Sequence, residues 1–501
     1  VIISRAYRGY ALGLLAFINL LNYLDRNVIF ALFEPIKRDL GLTDTQLGWL
    51  GSAYILVFSV AALPFGVLSD LRSRRAVIAG GVTVWSLFTF LGGLVRSYWQ
   101  LFTCRAAVGI GEAAFGPAAS SLVADYFPGK GRAAAMGVLA SGIALGGVLG
   151  IGLGGVLEEY YGWRIAFMVV GMPGLFCAFL AARLIDPTRV PTQLTLRGFL
   201  RNAEGGLAAL FKEFGFSILG VVVGFTVAYI LDRVYGATSR LDVAAFGAAV
   251  GLGLALDIAR WVRLGRRGEF RKTPFGEGVS STFDDIVAAG RRVLSTPTLS
   301  FVFVAGAMIS FGMNGIVGWG PTFISRELGL SSSEAATLLG KWGLVAGTAG
   351  TLVGGALADW LRRHTEQGRV IAVSLGLIIG GPLALWLLTI RDPAIFTPLF
   401  FTAFFFLSWY NGPLTAVIFD VVPSRVGATV AGTYLLFIHL AGDAIAFPLV
   451  GFLSDNFGID RAVYVLPSVA LLGGLVMLGA LRTVGRDMIR ADNQGAAAAT
   501  A

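Results

Sequence analysis

Four charged residues interrupt stretches that are otherwise apolar: Asp25 and Arg26 in one, Arg105 and Glu112 in another. An arginine keeps its proton under all ordinary conditions and offers a planar fork of donors that suits a carboxylate or phosphate. A desolvated carboxylate can exchange a proton near neutral pH. Arg105 and Glu112 are seven residues apart, close to two helical turns, so a helix puts them on one face. With residue 33 as the end of the first run, Arg26 lies roughly 10 Å below it at ~1.5 Å per residue. Arg105 comes out at a similar depth in a run of opposite direction. Arg26 and Arg105, with Asn22 and Tyr23 beside them, are therefore candidates to hold an anionic head group. Asp25 and Glu112 are candidates to neutralise them or to carry a coupling proton. A structural salt-bridge cluster locking two helices is the competing reading. The second half of the chain offers Asn314, Lys341, Tyr410, Asn411, His439 and Asp443. His439 and Asp443 are four apart on one helical face and can form a proton-sensitive pair. A satisfied interhelical histidine, and a Lys341 that snorkels outward from a helix end, are the alternatives.

The elements that must position these residues are membrane-spanning. The 501 residues are 56% hydrophobic and 14% charged, more apolar side chain than a soluble core of this length can hide. Apolar runs lie near 10–33, 46–68, 76–95, 99–123, 134–157 and 164–184, then near 299–323, 335–358, 370–390, 395–421, 428–453 and 462–482. Each is long enough to cross a bilayer as a helix. The 68 glycines suit close helix packing in lipid. The net charge of +9 sits in short loops, so it reads as a topology signal and not as a nucleic-acid footprint. Arg5 and Arg8, then Arg72, Arg74 and Arg75, then Lys130 and Arg132 fall on one side. Arg362, Arg363 and Arg369, and later Arg482, Arg486 and Arg490, fall on the same side. That side is predicted to be cytoplasmic, with both termini on it. Cys104 and Cys177 both lie in apolar runs, which argues against a disulfide or metal framework. The chain starts at Val1 without a methionine, which is compatible with removal of a native leader or tail, and no cleavable signal peptide is visible.

The domain plan follows. Residues 1–185 form a first six-helix half and 296–485 a second. Between them, 186–295 form a linker with two short apolar stretches at 215–231 and 244–259. Flanking arginines and a charge-balanced turn suit a hairpin that crosses twice; a pair lying on the membrane surface is the alternative. The tail, 486–501, is predicted to lack fixed structure.

The halves are repeats. Gly66-Val-Leu-Ser-Asp70 is answered by Gly355-Ala-Leu-Ala-Asp359, Asp125-Tyr-Phe-Pro128 by Asp420-Val-Val-Pro423, and the glycine-bounded segment 155–162 by 451–458. Three matches in near-constant register mean a parallel repeat, the plan that puts a substrate site at the midplane.

The run Gly66-Val-Leu-Ser-Asp-Leu-Arg-Ser-Arg-Arg75 resembles the signature loop of the major facilitator superfamily, and Arg105-Ala-Ala-Val-Gly-Ile-Gly111 resembles its fourth-helix motif. Asn22-Tyr-Leu-Asp25-Arg26, Gly109-Ile-Gly-Glu-Ala113, Asp125-Tyr-Phe-Pro128 and Gly162-Trp-Arg164 are similar to the Spinster family of lysolipid and sphingosine-phosphate transporters. The likeness covers nearly the whole chain except 190–290. It departs from the loop pattern at Leu71 and Ser73, where arginine and glycine are common. The resemblance implies an all-α major facilitator fold, two pseudo-symmetric six-helix halves with twelve core spans. It also implies a gate at the signature loops: Gly66 for close approach, Asp70, Arg74 and Arg75, with Asp359 and Arg363 as counterparts. Gly142, Gly146, Gly150 and Gly154 form a small-residue stripe expected to pack closely.

The expected function is secondary active transport of a lysolipid or similar amphipathic anion by alternating access, coupled to protons. A proton-coupled symporter of a small polar organic anion and a membrane sensor on a transporter scaffold are the alternatives. No nucleotide loop, metal-ligand cluster or nucleophile with base appears, so an enzyme, a cofactor, a metal and a nucleic-acid partner are not expected. The chain is expected as a monomer in the cell (inner) membrane of a bacterium.

Overall fold

The computed structural model describes residues 4–71, 73–187, short runs between 215 and 260, and 274–500. Among these, twelve helices are long and apolar enough to cross a membrane. They are α1 (Arg5–Ala31), α2 (Asp44–Ser69), α3 (Arg74–Gly92), α4 (Tyr98–Tyr126), α5 (Ala134–Tyr161) and α6 (Trp163–Ala181). The second series is α7 (Pro297–Glu327), α8 (Ser332–His364), α9 (Gly368–Leu387), α10 (Pro393–Asp420), α11 (Arg425–Phe457) and α12 (Ile459–Arg482). In lipid the backbone must satisfy its own hydrogen bonds, which is why long apolar runs become helices.

Local chemistry fixes the ends. Ser331 and Glu334 make a reciprocal capping box at the start of α8, and Asp392 accepts the Ala394 N–H at 2.9 Å before α10. The tight turns after α5 and α11 are made by Gly162 and Gly458, at φ 81° and 86°. Both positions lie in the left-handed region that glycine enters freely, and they are the matching ends of the third repeat.

The described helices are joined by close approach at small residues. A Cβ on Gly81 would meet the Gly111 carbonyl oxygen at 2.6 Å, which sets α3 against α4. One on Gly171 would meet the Phe90 nitrogen at 2.6 Å, setting α6 against α3. In the second repeat Gly312 faces the Leu466 carbonyl at 2.7 Å and Gly376 faces Trp409 Cβ at 2.6 Å. The stripe on α5 behaves as expected at three positions. Gly142 lies against Leu20, Gly150 against the Leu24 carbonyl and Gly154 against Val28.

Packing gathers the chain into two compact units. One is Val1–Leu21, Val60–Gly142 and Phe167–Thr282; the other is Asn22–Ser59, Ile143–Ala166 and Phe283–Ala501. The second unit thus contains parts of α1, α2 and α5 together with the whole second repeat. Its core includes Leu299, Val302, Phe303, Val373, Leu377, Val417 and Met477.

In the linker, the described positions in both apolar stretches are helical. The Phe216 N–H donates to Asp257 at 3.4 Å, and a Cβ on Gly220 would meet the Ala249 carbonyl at 2.5 Å. The two stretches therefore pack on one another. The flanking segments 188–214 and 261–273 lie outside the described residues. The tail departs from its expectation: Val484–Thr500 is helix. Its first turns are held by Asp487, which accepts the Thr298 N–H at 3.0 Å, and the alanine-rich end is intrinsically helix-forming.

Candidate functional site

The charges expected inside the membrane are inside helices and mostly buried. Asp25, Arg105 and Glu112 are 2%, 2% and 1% exposed, and Asn22 is buried as well. Asn22, Tyr23, Asp25 and Arg26 belong to the second unit, Arg105 and Glu112 to the first. The half-buried Arg26 guanidinium lies 4.8 Å from the Tyr23 ring centroid, 4.6 Å from that of Tyr54 and 5.0 Å from that of Phe58. Three rings surround the cation at cation–π distance, which positions it. Tyr54 and Phe58 were not legible in the sequence, since aromatic residues in α2 look like ordinary membrane packing. Glu112 stands just before an interruption of α4, where the helix breaks at Ala114.

The second repeat carries irregular backbone at two further places. In α10, a short 3₁₀ turn at Ser408–Tyr410 is followed by Gly412 at φ 84° before the helix resumes at Pro413. In α11, His439–Asp443 forms a π-helical turn, a feature often found at functional positions. That turn brings together three of the residues expected from sequence, along with Ser310. The Asp443 carboxylate is 2% exposed, accepts the Asn314 side-chain N–H at 2.9 Å and lies 2.6 Å from His439 Nδ1. Ser310 donates to it as well. The buried carboxylate is thus held by an imidazole and two neutral donors. Asn411 sits apart, reaching Thr351 of α8 at 3.3 Å, and Lys341 is exposed with Nζ 5.0 Å from the Trp342 ring.

The signature-loop end differs from its expectation. Arg74 was expected to pair across a gate; its described partners lie within its own repeat. It contacts Asp125 at 2.7 Å and Asp186 at 2.6 Å, and donates to Ser121 at 2.9 Å. Arg75 reaches the Leu184 carbonyl at 3.3 Å. Asp186 follows α6 closely enough to take both the Arg74 side chain and its backbone N–H, so the nearest acid satisfies it. The arrangement recurs in the second repeat. Arg369 contacts Asp420 at 2.5 Å and Asp359 at 3.3 Å, so Asp359 is served by Arg369, and Arg363 is exposed. Among the described residues, Gly66 has nothing within 4 Å of a Cβ position, so it does not make the close approach expected of it in this conformation, and Gly355 is equally open. The Asp70 side chain and Arg72 lie outside the described residues.

The opposite end of the helices holds a network that sequence reading missed. Arg326 of α7 contacts Asp44 at 2.7 Å and Glu34 at 2.6 Å, and Asp44 also receives Lys37 at 2.7 Å and the Ser454 hydroxyl at 2.6 Å. Asp455 of α11 accepts the backbone N–H groups of Asp44 and Thr45, both at 2.8 Å, and so caps α2. Beneath the charges lies an aromatic layer. Phe30 stacks on Phe447 at 5.0 Å, Phe33 lies 5.3 Å from Trp319, and Trp319 Nε1 donates to the Phe447 carbonyl at 3.1 Å. Gly48 and Gly451 fit against the Phe447 and Asp44 backbones, and Gly155 of α5 against Ser332 of α8 at 2.7 Å. These charges lie at span ends, where sequence alone reads them only as topology.

Among the described residues no cluster of three or more histidine, cysteine, aspartate or glutamate side chains could hold a metal. Twelve spans with buried charge, interrupted helices and an interlocked end define a multi-pass membrane transporter, not an enzyme. The chain matches the Major Facilitator Superfamily over residues 15–232 and 213–442 and belongs to that superfamily. It is 27% identical over 476 residues to an MFS-type efflux pump of Mycolicibacterium smegmatis, covering 95% of this chain and 90% of that one. It is 33% identical over 168 residues to the sphingosine-1-phosphate transporter SPNS2 of Danio rerio, covering 33% of each. Its fold is similar to a bacterial homologue of the human lysosomal transporter Spinster, solved inward-facing and unoccupied. The TM-score there is 0.73 at 22% identity, over 97% of this chain and 99% of that one.

Proposed function

We propose that this protein carries a lysolipid or similar amphipathic anion across the bacterial inner membrane by alternating access, driven by protons. The observation that carries the reading is Arg26, a cation held at membrane depth under three aromatic rings beside the buried Asp25. A head-group anion would pair with this guanidinium, whose planar fork suits a phosphate or carboxylate. An apolar cleft in the second unit, lined in part by Ile316, Phe323, Leu339, Leu387, Phe396 and Phe400, supports the amphipathic part. The relative described as a sphingosine-1-phosphate transporter supports the same substrate class.

Asn22 and Tyr23 complete the anion site around Arg26 in this reading, and Arg105 serves the substrate from the other unit as a separate anion-binding cation. Asp25 and Glu112 carry the proton, with Asp443 and His439 as a second proton-binding group. Anion binding draws an arginine away from Glu112, which then takes up a proton, and this links the two ligands. The signature-loop end faces the cytoplasm, as the arginine distribution suggests. The interlocked Asp44 end is then the outer gate, closed, with Gly66, Asp70, Arg74, Arg75, Asp359 and Arg363 serving the inner gate. Residues 1–185 and 296–485 are the two halves, 215–259 cross as a hairpin, and the monomer is the working unit.

The test is flux in proteoliposomes with radiolabelled lysophospholipid and, separately, a small organic carboxylate. Lysophospholipid uptake that needs a pH gradient and is abolished by Arg26→Ala is expected. Transport of the carboxylate alone would replace the lipid with a small polar anion. Binding of either without flux would make the protein a sensor.

A further inference from the structure

The surface helix Pro274–Ser295 has two apolar faces, and the bundle covers only one. Ala289 and Val293 are buried with Ile286 beside them. About 100° round the helix, Phe283, Val287 and Leu294 are 61%, 38% and 82% exposed, with Gly290 completing the stripe. The helix stops at Ser295 and α7 starts at Pro297, so the exposed stripe ends where a membrane span begins.

The terminal helix Val484–Thr500 docks at the same place. Arg292 donates to Gln494 at 3.0 Å and Arg490 to the Ser295 carbonyl at 3.3 Å. Val484, Asp487 and Ala491 face inward, while Arg486, Ile489 and Arg490 are exposed. Ile489 therefore adds an uncovered apolar group, 58% exposed, between two cations. Arg291 is exposed on the neighbouring helix, beside the stripe. Asp284 lies two turns before Arg291 on the same edge of the stripe, farther from α7, and Asp285 lies on the far side of the helix.

We infer that these two helices form a membrane-surface binding site for anionic phospholipid. Phe283, Val287, Leu294 and Ile489 enter the acyl boundary, and Arg291, Arg486 and Arg490 hold the phosphate head groups. An amphipathic helix with arginines at the edge of its apolar face has this chemistry. Its junction with α7 fixes its height at the lipid–water boundary, which favours lipid over a protein partner. The site is independent of the transported molecule.

The experiment uses the full chain in vesicles, with single cysteines placed by Phe283→Cys, Val287→Cys, Leu294→Cys, Asp285→Cys and Ala288→Cys. Both native cysteines, which are buried, are replaced by alanine, and each variant is checked for an unchanged melting temperature. Nitroxide labels at 283, 287 and 294 should collide with oxygen at least threefold more than with an aqueous nickel chelate relative to 285 and 288. Uniform aqueous exposure at all five positions overturns the membrane placement, as does protection from both reagents, which would indicate a protein cover. Spin-labelled phosphatidylglycerol should be enriched at least twofold over phosphatidylcholine near a fluorophore at position 287. The enrichment should disappear with Arg291→Gln and Arg486→Gln together. No enrichment in the parent, or enrichment unchanged in the double variant, overturns the head-group assignment.

Discussion

The two ends of these helices use the same residue types in opposite ways. At the Asp44 end, acids and bases from both repeats interlock and small residues are filled. Gly48, Gly155 and Gly451 each have a neighbour where a Cβ would go. At the Arg74 end, Gly66 and Gly355 face open space, and the described ion pairs of Arg74 and Arg369 stay within one repeat. In the proposed alternating-access cycle, a clamp within a repeat survives rocking of the halves, whereas a lock between repeats must break. On that reading the contrast separates contacts that bear on the conformational equilibrium from those that keep a half rigid.

The largest effect is expected at Asp44. It is 2% exposed and serves Arg326, Lys37 and Ser454 at once. Removing one member of a buried charge pair typically costs about 3–5 kcal/mol. Because this pair exists only when the end is closed, Asp44→Ala should shift the population toward an open Asp44 end. Distances between spin labels at Thr43→Cys and Asn456→Cys would report it; an unchanged distribution in a folded variant would show that the lock is ornamental. A double-mutant cycle with Arg326→Ala should give a coupling of about 1 kcal/mol or more.

The next effect separates the glycines. Gly48→Leu puts a branched side chain against the Phe447 carbonyl and should force the Asp44 end apart or lower the melting temperature. Gly66→Leu meets nothing here, so folding should change by no more than about 0.5 kcal/mol. Transport should nonetheless fall at least tenfold, because in the proposed cycle the alternate state closes on Gly66. Wild-type flux in Gly66→Leu would mean that the signature-loop end never closes tightly.

A third expectation concerns the proton. Glu112→Gln should retain substrate binding, measured by thermal shift, while flux loses its dependence on pH between 5.5 and 7.5, about one unit either side of an ordinary histidine. If the dependence survives, the proton travels through Asp25 or through Asp443 and His439. Asp443→Asn is the comparison that tells those two apart.

How much of this could be read in advance depends on the scale of the signal. Twelve spans were legible because each needs some twenty apolar residues, a pattern too long to arise by accident. The repeat was legible through Gly162 and Gly458, whose backbone conformation demands glycine in both halves. Arg26, Arg105, Asp25 and Glu112 stood out as charges in apolar runs. The lock did not stand out, because Glu34, Asp44, Arg326 and Asp455 sit at span ends, where charges are ordinary. Their pairing joins residues hundreds of positions apart. Ser310 was missed since a serine in a membrane helix carries no signal until Asp443 faces it. Arg74 was legible through the signature loop; its partner Asp186, which takes both its side chain and its backbone N–H, was not, because it lies 112 positions further along.

The smallest effect tests the comparison most sharply. Asp455 caps α2 by accepting the N–H groups of Asp44 and Thr45 and the Thr45 hydroxyl, the last at 2.6 Å. An N-cap usually lies next to its helix, so losing it costs helix stability, about 1 kcal/mol for replacement by alanine. Here the acceptor comes from α11, in the other repeat, and reaches α2 only while the Asp44 end is closed. In the open state water can take its place at the helix terminus. Asp455→Ala should therefore leave global unfolding nearly unchanged and move the closed-to-open ratio about fivefold toward open, the equivalent of about 1 kcal/mol. Thr45→Val, which removes only the hydroxyl donor, should move it less and in the same direction. The labels at Thr43→Cys and Asn456→Cys, read beside a melting curve, separate the two outcomes. A fall in melting temperature with an unmoved distance distribution would make Asp455 an ordinary cap that happens to come from far along the chain.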